Sequence, residues 1–212
     1  NLYMTTTDYF WNDKKVNRHK KIQEVLKLED KLFISPRQVH SDAVKIIKSN
    51  SELNPQCDSI IFEANSMLIG TINVADCVPI CIYDFENEII SLVHSGWRGT
   101  LKNILTKTIL NMIELGSRKD KLQIFLGPCI RGCCYQVDKN LSKKFHKSSV
   151  IKKNQKYFVD LIEQIKFNCD EIFIPRKNMF ISADCTYDNN MYHSFRRDGN
   201  LSGRMTLIAY KN

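Results

Sequence analysis

Nowhere does this 212-residue chain hold an apolar run near the roughly 20 residues that a helical membrane span needs. Its first residues, Asn1 to Phe10, also lack the basic-then-apolar order of a secretory signal, so the expected location is the cytoplasm and no membrane partner is expected. Internal repeats and long linkers are missing too, which removes solenoids and points to one domain over residues 1–212 with a sizeable core. A matched second cysteine pair is absent. Cys129, Cys133 and Cys134 run as C-x-x-x-C-C, a spacing unlike a zinc knuckle and not repeated elsewhere. They read as packed thiols, with a binding-site wall and a local metal site as the alternatives. Eight cysteines would make a disulfide framework in a smaller secreted chain; here reduced thiols are expected, with Cys57, Cys81, Cys169 and Cys185 as small buried residues. The basic residues form no single block either. A net charge of +8 suits nucleic acid or an anionic substrate, but the lysines spread from Lys14 to Lys211. The densest group, Lys14, Lys15, Arg18, Lys20 and Lys21, reads as a solvated helix face, and no nucleic-acid-binding module accompanies it.

What the chain does contain is a succession of short apolar segments. Residues 58–62, 68–74, 78–83 and 89–93 are apolar nearly throughout, which is the pattern of strands covered on both faces. From Thr100 to Leu115 the residues Leu101, Ile104, Leu105, Thr108, Ile109, Met112 and Ile113 make one apolar side of a helix that Gly116 stops. Further helices are expected at 16–28, 138–145 and 159–167, and strands within 1–13 and at 32–34, 43–48, 122–126, 135–137 and 205–210. The sum is an α+β fold with mixed β-sheets flanked by helices.

The stretch Leu92-Val-His94-Ser-Gly96-Trp97-Arg98-Gly99-Thr100 organises the rest. A buried strand delivers His94 to its end, Gly96 and Gly99 turn the backbone, and a helix begins with its unpaired amides facing the turn. That is an anion-receptive corner with Arg98 already in it. Cys77 stands where the second run breaks, in Ala75-Asp76-Cys77-Val78-Pro79, and His40 follows the short apolar segment at 33–34. Two histidines and a cysteine near strand ends are the best candidates for one site, although each alone also reads as a structural residue. Asp76 could orient a histidine or move a proton, or simply sit in a turn. Arg196 and Arg197 could add positive charge, one toward the site and one toward solvent. Trp97 reads as packing, and His146 and His193 as surface or structural residues.

Taken together, Gln38-Val39-His40, Ala75 to Pro79, His94 to Gly99, Gly127-Pro128-Cys129-Ile130 with Cys134-Tyr135, and Ser194 to Asp198 through Gly203-Arg204-Met205 resemble the ordered signature of the laccase-domain, or polyphenol oxidase, family. The similarity runs from about residue 17 to the C-terminus. The resemblance implies zinc held by His40, Cys77 and His94, a fold similar to that of cysteine-hydrolase-like toxin domains, and phosphorolysis of adenosine, inosine and methylthioadenosine, with adenosine deamination beside it. Copper and phenol oxidation belong to an older description of the same family. One departure stands out: a Thr-Arg-x-Gly-Gly-x-Ser segment is usual near the N-terminus, and no such glycine pair follows Thr5 to Phe10.

The chemistry agrees in part. Three nitrogen and sulfur ligands leave a tetrahedral zinc one open position, which suits catalysis and, through an activated water, deamination. Phosphorolysis also needs a dianionic phosphate held below the anomeric carbon. Gly96, Arg98, Gly99, Arg196 and Arg197 are the candidates to bind it; Asp76, Cys77 and Arg98 are the candidate catalytic residues. Two other classes compete: a metal-free hydrolase with Cys77 as nucleophile and a histidine as base, and a non-enzymatic protein binding RNA or a partner.

Overall fold

The four apolar runs become adjacent strands because each can bury both faces only inside a stack of layers. The computed structural model describes residues 1–6, 18–28, 30–48 and 52–211. Strand β1 (Leu2–Met4) opens the chain, followed by helix α1 (Arg18–Leu26), β2 (Leu32–Ile34) and β3 (Val44–Ile46). The long runs are β4 (Ser59–Glu63), β5 (Leu68–Val74), β6 (Val78–Asp84) and β7 (Ile89–Ser95). Helices α2 (Trp97–Leu101) and α3 (Ile104–Glu114) lead to β8 (Leu122–Leu126), β9 (Gln136–Val137) and α4 (Lys139–Ser142). The chain closes through β10 (Val150–Lys153), β11 (Lys156–Val159), α5 (Leu161–Glu171), β12 (Met179–Ile181), α6 (Phe195–Asp198) and β13 (Met205–Ala209).

These strands make a six-stranded sheet ordered β12-β8-β6-β7-β4-β3, a four-stranded sheet ordered β1-β13-β5-β2, and a three-stranded meander ordered β10-β11-β9. The two larger sheets mix parallel and antiparallel pairs and pack face to face through Ile34, Ile60, Phe62, Leu68, Ile72, Leu92 and Leu207. Helices α3 and α5 cover the outer face of the six-stranded sheet with Ile104, Ile109, Met112, Ile162 and Ile165. On the outer face of the four-stranded sheet, Ile22 of α1 packs with Phe33, Ile69 and Ile208. The result is an α+β sandwich of two sheets between helical layers, as expected.

Register decides where function can assemble. In the six-stranded sheet Val78 pairs with Ser95 and Ser59 with Val93, so the start of β6, the end of β7 and the start of β4 lie at one end. In the other sheet Met205 pairs with Val74, bringing the start of β13 to the end of β5 beside them.

Several elements depart from expectation. The helix over 100–115 is two helices: α2 begins three residues earlier, at Trp97, and Asn103 in the left-handed region (φ 58) separates it from α3. Strand β7 runs on through His94 and Ser95, so His94 lies within the strand. Val159 belongs to β11, and α5 starts only after Asp160, whose carboxylate accepts hydrogen bonds from the Ile162 and Glu163 amides. The β10–β11 hairpin, β12 and α6 were not expected. The hairpin carries exposed Lys152, Lys153 and Lys156 in place of an apolar face, and β12 and α6 are only three and four residues long. Lys14, Lys15 and Val16, and most of the segment after Thr5, lie outside the described residues. Among the described residues no helix is long and apolar enough to cross a membrane.

Candidate metal centre

The shared end of the sheets gathers His40, Cys77 and His94, whose ligand atoms all lie within 4.8 Å of one another. Each arrives differently. His94 comes from β7 and is 4% exposed; Cys77 sits in the turn just before β6; His40 comes from the β2–β3 loop, in the left-handed region at φ 58. The imidazole rings meet edge to face, with centroids 4.8 Å apart.

Asp58 holds this arrangement together. Fully buried just before β4, its carboxylate accepts from the His40 amide at 3.0 Å, the Ser41 amide at 2.6 Å and the Ser41 hydroxyl at 2.7 Å. It also meets His94 Nδ1 at 2.8 Å. A carboxylate on Nδ1 fixes a proton on that nitrogen and leaves Nε2 as the ligand position, where a bound metal ion would take the place of the second proton. Burial pushes Asp58 up, but hydrogen bonds from His94 and Ser41 outweigh it and bring it down to about 2. The same logic sets its neighbours. Burial disfavours a charged His94, yet Asp58 and Cys77 raise it to about 9. Burial raises the Cys77 thiol, and hydrogen bonds from His40 and His94 lower it to about 7. Two imidazoles beside a thiol with strong thiolate character are a donor set suited to a borderline-soft divalent ion.

Gly96 is required by packing. An added Cβ would lie 2.9 Å from Cys77 Sγ and 3.3 Å from His40 Cδ2. Gly99 is buried in α2, where a Cβ would press on Ile104 and the Ser41 carbonyl, each at 3.3 Å. Both glycines therefore shape the site from behind. Helix α2 has only five residues, and positive charge beside its start comes from arginine side chains.

That charge lines a cleft of about 490 Å³ whose walls include His40, Cys77, His94, Arg98, Arg196 and Arg204. Arg98 is exposed, stacks over the Trp97 ring at 4.2 Å and makes no ion pair among the described residues. Arg196 lies 5.0 Å from the Tyr135 ring, and Arg204 lies 5.6 Å from that of Phe195. Trp97, Tyr135 and Phe195 line the same cleft, and Trp97 also packs against the core beneath it, as expected. Gln38 braces the rim by exchanging hydrogen bonds with the Asn73 backbone at 2.7 and 2.8 Å.

Two expected residues are placed otherwise. Arg197 does not line the cleft: its guanidinium donates to the carbonyls of Thr186, Tyr187 and Tyr192 at 2.8 to 3.1 Å and pairs with Asp198. Asp76 lines the cleft, but the carboxylate on the histidine is that of Asp58. The Asp76 oxygens accept from Thr186 Oγ1 at 2.7 Å and the Arg196 amide at 2.6 Å, with its backbone at φ 82. Asp58 and Arg204 escaped sequence reading. Asp58 looks like any turn carboxylate ahead of an apolar run, whereas Arg204 follows Gly203 in a quoted motif and was within reach.

Two sheets in an α+β sandwich, with a His-Cys-His cluster at the floor of a cationic and aromatic cleft, define an enzyme-like site able to accept a metal ion. The chain belongs to the family described as multi-copper polyphenol oxidoreductase laccase, which it matches over residues 4–211. It is 32% identical over 180 residues to a purine nucleoside phosphorylase of Clostridium acetobutylicum, covering 82% of this chain and 75% of the relative. It is 28% identical over 197 residues to adenosine deaminase RL5 from an unknown prokaryotic organism, covering 84% of this chain and 75% of that one. The crystal structure of Bacillus licheniformis hypothetical protein YfiH superposes with a TM-score of 0.80 at 25% identity, over 91% of this chain and 79% of that chain.

Proposed function

We propose that residues 1–212 act as one zinc-dependent catalytic domain for phosphorolysis of purine nucleosides, with adenosine, inosine and methylthioadenosine as the substrate class. The observation that carries this reading is the meeting, in one cleft, of an open His40–Cys77–His94 donor set with the guanidiniums of Arg98, Arg196 and Arg204 and three aromatic rings. In the reaction a phosphate oxygen bonds to the anomeric carbon while the bond to the purine nitrogen breaks, its electron pair leaving with the base, which takes up a proton. A bound zinc would supply Lewis acidity and an open coordination position at the cleft floor.

The chain's own groups do the rest. Arg98 and Arg196 hold the dianion by charge-assisted hydrogen bonds and keep it from being shared with bulk water. Trp97, Tyr135 and Phe195 offer π faces for a purine. Asp58 keeps His94 oriented, and Asp76, with both oxygens engaged, positions Arg196 through its backbone amide. Arg197 has no phosphate role in this reading.

Deamination of adenosine is the second reading, supported by the relative named adenosine deaminase and by the same open ligand position. One experiment separates the two: metal-analysed protein is incubated with adenosine, with and without phosphate, while adenine and inosine are followed separately. Adenine that forms only with phosphate supports phosphorolysis. Inosine formed without phosphate supports deamination, and neither product in either condition sinks both.

A further inference from the structure

Cys185 is not the buried bystander expected. The fold carries it from the loop after β12 to the turn holding Cys133 and Cys134, and the three sulfurs lie within 4.8 Å of one another, with 3.1 Å between the adjacent pair. All three are free thiols; Cys133 is exposed and the others half-buried.

The backbone beneath them is firmly held. Cys185 forms a β-bridge with Cys129, the Thr186 amide donates to the Cys129 carbonyl at 3.0 Å, and the Arg131 amide points at Cys185 Sγ from 3.4 Å. Arg131 is itself tied to Asp160 at 3.3 Å and to the Ser182 carbonyl at 3.1 Å. Gly132 packs closely against the next elements, since a Cβ there would lie 2.8 Å from Ile151 Cδ1 and 3.0 Å from Asp160 Cβ. The sulfurs therefore start from a fixed frame and have only side-chain rotation to lose.

Around a tetrahedral ion with metal–sulfur bonds of about 2.3 Å, sulfurs stand about 3.8 Å apart, and three sulfurs that all lie within 4.8 Å of one another reach that spacing by side-chain rotation alone. We propose that Cys133, Cys134 and Cys185 form a second cation site, separate from the His40–Cys77–His94 cluster, which takes one thiophilic d10 ion, Zn(II) or Cu(I). Three sulfur donors select against hard ions such as magnesium and calcium. A cation removes the sulfur–sulfur repulsion and takes the place of the protons. It would also brace the cleft, because Thr186, next to Cys185, donates to Asp76.

The test is metal stoichiometry, which is independent of the nucleoside reading. Fully reduced protein is titrated with Zn(II), and under anaerobic conditions with Cu(I), against a competing chelator; Co(II) reports thiolate bonding by its charge-transfer absorption. The full chain is expected to bind two equivalents. His40→Ala should keep one of them, together with strong thiolate-to-cobalt absorption, and Cys133→Ser should lose that one. Cys133 is exposed, so the serine variant is expected to fold; Cys134→Ser provides a second reading. Equal stoichiometry and affinity in the unsubstituted chain and both serine variants would overturn the proposal, as would a His40→Ala protein that binds neither ion.

Discussion

His94 Nδ1 and Asp58 Oδ1 stand 2.8 Å apart, with side chains 4% and 0% exposed. This pair joins β7 to the segment before β4 and, through the His40 and Ser41 amides, fixes the β2–β3 loop on the same carboxylate. Asp58→Asn keeps the shape but replaces a charged acceptor with a half-donor. We expect a loss of about 3 kcal/mol in stability by denaturant titration, and zinc affinity about 10- to 100-fold weaker. An asparagine variant that binds zinc as tightly as the parent would remove Asp58 from the site's support.

Gly96→Ala probes how closely the ligands are packed. Its added methyl would meet Cys77 Sγ at 2.9 Å, so cysteine or backbone must move. We expect metal binding to fall at a stability cost of about 1 to 3 kcal/mol, with the circular dichroism of the fold retained. Unchanged metal affinity in a folded variant would mean that the turn relaxes without disturbing Cys77.

Chelation separates the metal enzyme from a thiol hydrolase. If the cleft works through zinc, dialysis against a chelator abolishes turnover and added zinc restores it, while bound zinc shields Cys77 from alkylation. Activity that survives chelation but not alkylation would favour the metal-free alternative.

Arg98 and Arg197 should part company. For Arg98→Ala the expectation is a KM for phosphate raised about tenfold or more with thermal stability nearly unchanged, because this exposed guanidinium stacks on Trp97 and makes no ion pair among the described residues. Arg197→Ala strips the hydrogen bonds to three carbonyls and Asp198, so a lowered melting temperature is expected first. Saturation kinetics in phosphate and thermal melts of both variants check this.

Asn103 separates α2 from α3 in the left-handed region, and it is exposed. Asn103→Ala should destabilise the protein by about 1 kcal/mol, and Asn103→Gly should leave it unchanged or better, both read by denaturant unfolding.

The apolar runs made β4, β5, β6 and β7 legible, since segments of five to seven residues dominated by Ile, Leu, Val and Phe have no stable place except between two covering layers. The closing strand β13, the helix over 104–114 and the single α+β character came from the same local hydrophobic patterning. His40, Cys77 and His94 were candidates because strand ends and turns present side chains at a sheet's edge. What no local pattern contains is distance. That Asp58 and not Asp76 reaches His94, that Arg196 and Arg204 line the cleft while Arg197 does not, and that Cys185 meets Cys133 and Cys134 follow from strand order and register. Those depend on how whole sheets bury their faces together, a property of the assembled chain that residues far apart in sequence acquire only on folding.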